Sequence, residues 1–186
     1  MLIRREASGD AQAIRAVTAA AFARPGEEVP AEAPLVDQLR ADPAWIPELS
    51  LVALGPDGDV IGHVLCTRGT VTRGSVTSDA VTGAAVGPAP VLGLGPLSVC
   101  PDWQRRGVGK ALMHAVLGAA DAFGEPLVVL LGSTGYYPRF GFRLASEFGI
   151  TPQHPEWEPH FQVRTLTAYD PAVRGEFAYP KPFDGV

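Results

Sequence analysis

The chain has 186 residues, 46% of them hydrophobic and 19% charged, with 20 acidic against 15 basic side chains and a net charge of −5. That length and apolar content suit one domain with its own core and exclude a disordered chain. The acidic balance excludes a nucleic-acid partner that reads a broad basic face.

The opening "MLIRREASGD" is charged almost at once and lacks the apolar stretch of a signal peptide. No apolar run is long enough to span a bilayer. Cys66 and Cys100 form no disulfide framework and read as small apolar residues. A soluble, cytoplasmic protein without a membrane partner is expected, and a homodimer is left open.

"LIRREA" predicts a short strand, after which Asp10 can cap a helix with Ile14, Val17 and Ala21 at helical spacing. "FARPGEEVPAEAP" predicts a loop, and "LVDQLRA" a second helix that ends before Pro43. Leu49–Leu54 and Val60–Thr67 flank the turn residues "GPDGD" and predict a hairpin. The segment "RGTVTRGSVTSDAVTGAAVGPAP" reads as strand ends joined by a loop. Val91–Val99 is strand-like, but Pro96 cannot donate to a ladder, so a bulge or unpaired stretch is expected there.

Val108, Ala111, Leu112, Ala115, Val116 and Ala119 then form the stripe of a helix packed on a sheet, with Gly124 as its left-handed cap. "PLVVLLG" has the continuous apolar character of a buried parallel strand, which makes strand, helix and strand one βαβ unit. "YYPRFGF" predicts a helical turn leading into a strand, and "HFQVRTLTAY" a last strand. "HPEWEPH" gathers His154, Glu156, Glu158 and His160, but its prolines break any regular face. It reads as a loop near an acceptor pocket, and no metal is expected.

The glycines of "QRRGVGKAL" mark an anion-binding turn, because they admit close backbone approach at a helix start. A nucleotide-hydrolysis loop fails here: Gln104 stands at its first glycine and Ala111 at its hydroxyl position. A dinucleotide fingerprint fits weakly, since Leu112 replaces the third glycine. The pattern Gln/Arg-x-x-Gly-x-Gly/Ala after a bulged strand fits at Gln104, Gly107 and Gly109. With "GPLSVCPDWQRRGVG" and "YYPRFGF", it makes nearly the whole chain resemble the GNAT superfamily of N-acetyltransferases, in its branch of stand-alone bacterial enzymes.

The resemblance implies an α/β fold: a single domain with a mixed, mostly antiparallel sheet, a splayed parallel strand pair and flanking helices. It also implies acetyl-CoA as cosubstrate, with its pyrophosphate on the amides of Arg105, Arg106, Gly107, Val108, Gly109, Lys110 and Ala111. Arg105, Arg106 and Lys110 supply positive charge to the phosphates. Leu97, Ser98 and Val99 offer backbone groups to the pantetheine arm, like an added strand. Tyr137 protonates the leaving thiolate, with Tyr136 beside it as the second candidate. Relatives often place an asparagine before this turn, where Ser133 and Thr134 stand. The strand glutamate used by many relatives as general base is missing, which leaves Glu48 and His63, directly or through water. The implied reaction is direct acetyl transfer to a primary amine of a small molecule or peptide. The alternative is an acyl-CoA-binding sensor without turnover.

Overall fold

The computed structural model describes residues 1–26, 28–72 and 87–185. Among them lie strands β1 (Leu2–Arg5), β2 (Trp45–Leu54), β3 (Val60–Thr72), β4 (Ala89–Val99), β5 (Leu127–Leu131), β6 (Arg143–Leu144), β7 (Ile150–Thr151), β8 (Phe161–Thr165) and β9 (Gly175–Ala178). Helices α1 (Ala11–Phe22), α2 (Glu32–Arg40) and α3 (Val108–Ala122) accompany them. The strands make a mixed sheet whose registered pairs are antiparallel except β4–β5 and β7–β9. The chain divides into two compact units, and β3 and β4 each pass from one into the other.

The first unit holds Met1–Thr67, Leu94–Phe123 and Pro180–Val186. β1, β2 and β3 pair antiparallel in chain order. Ile14 of α1 and Leu35, Val36 and Leu39 of α2 join Val52 and Leu65 of the strands in one apolar cluster. Asp10 does not cap α1 as expected. It lies in a 3-10 turn, where its carboxylate accepts the Ala7 amide at 2.7 Å and both nitrogens of Arg4 at 2.6 and 3.0 Å. The carboxylate is held by these donors and has no hydrogen bond to α1. Helix α2 begins at Glu32, ahead of the expected start, and takes in Pro34. A proline costs little in the first turn, where the helix has no acceptor for an amide.

The hairpin turns as expected. Gly58 takes φ +87°, and the Gly55 amide donates to the Asp59 carbonyl. β2 extends back to Trp45, with an irregular register between Trp45↔Thr67 and Ser50↔Leu65. Helix α3 buries Val108, Leu112, Met113, Val116, Leu117 and Ala120. Ala111, Ala115 and Ala119 are half-buried instead, because rotating the stripe brings the larger Met113 and Leu117 into the core.

The second unit holds Arg68–Gly93 and Gly124–Tyr179. β5 runs parallel to β4 through Leu92↔Val128 and Gly93↔Val129, and antiparallel to β8 along its whole length. The parallel pair agrees with the βαβ reading, and Gly124 takes the expected left-handed φ of +79°. Val71, Val91, Leu127, Val129, Phe161, Val163 and Phe177 form its core. Arg68 clamps the buried Glu125 with two bonds of 2.6 and 2.7 Å. The strand expected in "HFQVRTLTAY" is β8, but it is not the last: β9 pairs with the end of β3 and with β7. Between β3 and β4, residues 73–86 of the expected loop lie outside the described residues.

Candidate active site

The site begins where β4 ends. The Gly95–Pro96 peptide is cis, and Gly95 takes φ +146°, a region that favours glycine. Beyond it, Leu97 and Val99 are half-buried, whereas Ser98 is wholly buried and donates its hydroxyl to Thr18 Oγ1 at 3.1 Å. The Ser98 side chain therefore serves the core and is not offered to a ligand. Gln104 folds back to donate from Nε2 to the Val99 carbonyl at 3.1 Å, tying the loop to the strand it leaves.

Two left-handed residues shape the loop, Arg105 at φ +59° and Gly107 at φ +87°. The Gln104 amide donates to Pro101 and the Ala111 amide to Gly107, but none between them, from Arg105 to Lys110, finds an acceptor among the described residues. Six consecutive N–H groups at the positive end of a 15-residue helix make a site for a polyanion. Ala111 drops out of the expected donor set, because its amide is already used inside the helix. Val108 keeps its amide for the site while its side chain is buried against the first unit's core. Arg105 and Lys110 are exposed, and Arg106 lies over the Trp103 ring at 5.4 Å.

Tyr137 stands in the second unit at the start of a 3-10 turn, Tyr137–Phe140. The Tyr136 and Tyr137 amides both donate to the Ser133 carbonyl, at 3.0 and 3.2 Å. The Tyr137 ring meets Tyr136 edge-on at 5.1 Å and Phe142 at 5.8 Å. Burial, and then the neighbouring Tyr136, push its phenol up to about 12. Its hydroxyl has no hydrogen-bond partner among the described residues. Tyr136 is more open, with Arg139 over its ring at 4.9 Å. Burial raises its phenol too, and Arg139 opposes the shift.

The two base candidates separate sharply. His63 is wholly buried, with Nε2 2.9 Å from Ser50 Oγ and 3.5 Å from Glu6 Oε2. Burial lowers its pKa. Glu6 also accepts from Ser50 and from Arg40, each at 2.5 Å. Because the Ser50 hydroxyl donates to Glu6, its oxygen accepts from His63 Nε2–H. That leaves Nδ1 as the basic nitrogen, buried without a partner among the described residues. It has no exposure to solvent. Glu48 is half-buried on the irregular stretch of β2 and has no partner among the described residues.

"HPEWEPH" forms a 3-10 turn over Pro155–His160, with the His154 ring tilted against Trp157 at 4.4 Å. No group of three metal-ligating side chains occurs among the described residues. None of their helices is long and apolar enough to cross a membrane. Two features escaped the sequence reading. The Glu6–Arg40–Ser50–His63 cluster joins four distant stretches of chain. Gln162, 1% exposed, donates to the Gly132 carbonyl beside Tyr137. No local pattern announces either one.

A helix-start loop of free amides following one strand of a parallel pair defines a polyanion-binding protein built on a mixed sheet. The model of the Acetyltransferase (GNAT) family matches residues 16–142. The uncharacterized N-acetyltransferase YhbS of Escherichia coli K12 is 33% identical over 175 residues, covering 94% of this chain and 92% of that protein. The crystal structure of E. coli YhbS in complex with CoA superposes with a TM-score of 0.82 at 32% identity, over 98% of this chain and 91% of that one. A GNAT family acetyltransferase from Brucella melitensis, in complex with acetyl-CoA, gives 0.72 at 35% identity over 98% and 97%. The chain belongs to the GNAT family of acetyltransferases and is an acyltransferase of that fold.

Proposed function

We propose that the chain transfers an acetyl group from acetyl-CoA to a primary amine of a small molecule or peptide. The observation that carries this reading is the row of free amides from Arg105 to Lys110 at the start of α3. The CoA and acetyl-CoA complexes of two similar structures support the same ligand. The pyrophosphate takes the amides, and Arg105, Arg106 and Lys110 supply charge to the phosphates. Leu97 and Val99 offer backbone groups to the pantetheine, and Ser98 contributes through its backbone alone. The Val99 carbonyl is already held by Gln104, so that residue's amide is the group left for the thioester oxygen.

The amine nitrogen attacks the thioester carbon, and the C–S bond breaks as the tetrahedral intermediate collapses. Glu48 accepts the proton of the incoming ammonium, directly or through water; its half-burial and lack of a partner support it over the enclosed His63. Tyr137 donates to the departing sulfur. A phenol near 12 is a weaker acid than a thiol of about 8.5. Tyr137 therefore lends sulfur a hydrogen bond that strengthens as charge develops there, so CoA leaves as the thiolate and the second proton of the nitrogen passes to solvent. The reading places the protein in the cytoplasm, where its donor is made and used.

The test is acetyl-CoA-dependent release of CoA across a panel of amines, aminoglycosides and peptides. Turnover with at least one amine is expected. Tight acetyl-CoA binding with no turnover on any of them overturns it in favour of an acyl-CoA sensor.

A further inference from the structure

We infer that Gln162 is a positioning residue for Tyr137, acting through the backbone of Gly132; this rests on the reading of Tyr137 as the acid. β5 ends at Leu131, paired with Phe161, and the chain must turn there to reach the tyrosines. The first residue of that turn is held at both its amide and its carbonyl. The Gly132 amide donates to the His160 carbonyl at 3.0 Å, its carbonyl accepts from Gln162 Nε2 at 3.0 Å, and the same Nε2 lies 3.5 Å from the His160 carbonyl. One buried amide group thus gathers both carbonyls of the strand exit.

Gly132 in turn seats the ring. A Cβ placed on it would stand 2.3 Å from Cε2 and 2.9 Å from Cδ2 of Tyr137. The aromatic edge therefore rests on a bare Cα, with Tyr136 and Phe142 on other sides. Only glycine permits this approach, and only a fixed glycine makes it a fixed seat. The ring is boxed while its hydroxyl stays unpartnered among the described residues. That suits a donor whose partner arrives with the cosubstrate. A buried glutamine that merely filled the core would need no strand-exit carbonyls, and a methionine of similar volume would replace it at little cost.

The experiment is a cycle of Gln162→Met and Tyr137→Phe, read as kcat and as acetyl-CoA affinity, with an amine that turns over. Gln162→Met keeps the volume and removes the N–H donors. Alone it should lower kcat about tenfold with affinity unchanged, since catalysis is sensitive to small misplacement of the acid. In the Tyr137→Phe background it should cost less than about twofold, because no hydroxyl remains to position. Equal losses in both backgrounds, or no loss in either, overturn the positioning role and leave the acid role standing. Full activity of Tyr137→Phe alone sinks the acid role, and this inference with it. Should Gln162→Met fail to fold, Gln162→Glu enters the same cycle, since it keeps the side-chain shape and removes the N–H donors. It should likewise lose activity only where the hydroxyl is present.

Discussion

Nε2 of His63 lies 2.9 Å from Ser50 Oγ and 3.5 Å from Glu6 Oε2, where the imidazole has no exposure to solvent. Burial lowers the His63 pKa against the pull of Glu6; Arg40 adds to the lowering and Asp10 opposes it. The unfolded chain therefore takes up this proton first, so the contribution is full above about 6.5 and is lost as pH falls. Burial acts to raise the Glu6 carboxyl, yet the neighbouring His63 and hydrogen bonds from Ser50 and Arg40 hold it at about 2. Its contribution is present above about 4.5 and disappears as pH falls toward 2. Thermal stability should drop between pH 7 and 5, and again below 4.5. In melts followed by circular dichroism, His63→Gln should flatten the first step. An unchanged slope in that variant would remove His63 as its source.

Gly109→Asp should abolish acetyl-CoA binding with the fold intact. The carboxylate adds bulk and negative charge beside the amides proposed for the pyrophosphate. Its own effect on the helix is favourable, since an acidic residue in the first turn of α3 complements the dipole. Calorimetry that finds parental affinity would show the loop assignment to be wrong.

Tyr137→Phe removes a hydroxyl and keeps the ring packed on Gly132. Acetyl-CoA affinity should hardly move, while kcat falls by about 10²-fold or more. Tyr136→Phe is the control and should lose much less. With a phenol raised to about 12, the parent's kcat–pH profile should show no alkaline loss from this group below about pH 11. Equal activity of parent and both variants would end the acid role.

Gly62→Ala tests how closely β3 carries α3. A Cβ there would lie 3.0 Å from both Leu112 Cδ1 and Val108 Cγ1, and 3.1 Å from the Ser98 carbonyl, which is backbone and cannot rotate away. Denaturant melts should show a loss of about 1–3 kcal/mol. Acetyl-CoA affinity should weaken too, because Val108 opens the helix. Gly118→Ala makes the contrast: exposed on α3 with open space around its Cβ, it should gain about 0.5–1 kcal/mol. A neutral Gly62→Ala would mean that the strand–helix contact yields more easily than its distances suggest.

The sequence carried those parts of the fold that local periodicity specifies. Val60–Thr67 is a strand-like run directly after the turn residues "GPDGD", and Val108–Ala122 shows a helical stripe, so both were legible. β9 was not, because the four residues of "GEFA" have no pattern of their own and are strand only through partners in β3 and β7. Asp10 looked like a cap until Arg4, six residues back, claimed its carboxylate. In the site, Gln104, Gly107 and Gly109 were readable because one loop does the work within a few consecutive residues. Gln162 and the Glu6–His63 cluster were not, since their meaning lies in pairs formed only when remote segments meet. The partner of the Ser98 hydroxyl was hidden for the same reason: Thr18 is 80 residues away.

The amides from Arg105 to Lys110 also give the protein a built-in clock. With no acceptor among the described residues, and with Arg105, Arg106, Gly107 and Lys110 exposed, they should trade hydrogen for deuterium almost as fast as in a free peptide. The amides deeper in α3 are engaged, and theirs should trade slowly. Exchange along this one stretch therefore divides at Ala111 into a fast and a slow half. A bound polyanion should erase that boundary from the fast side without any movement of the chain.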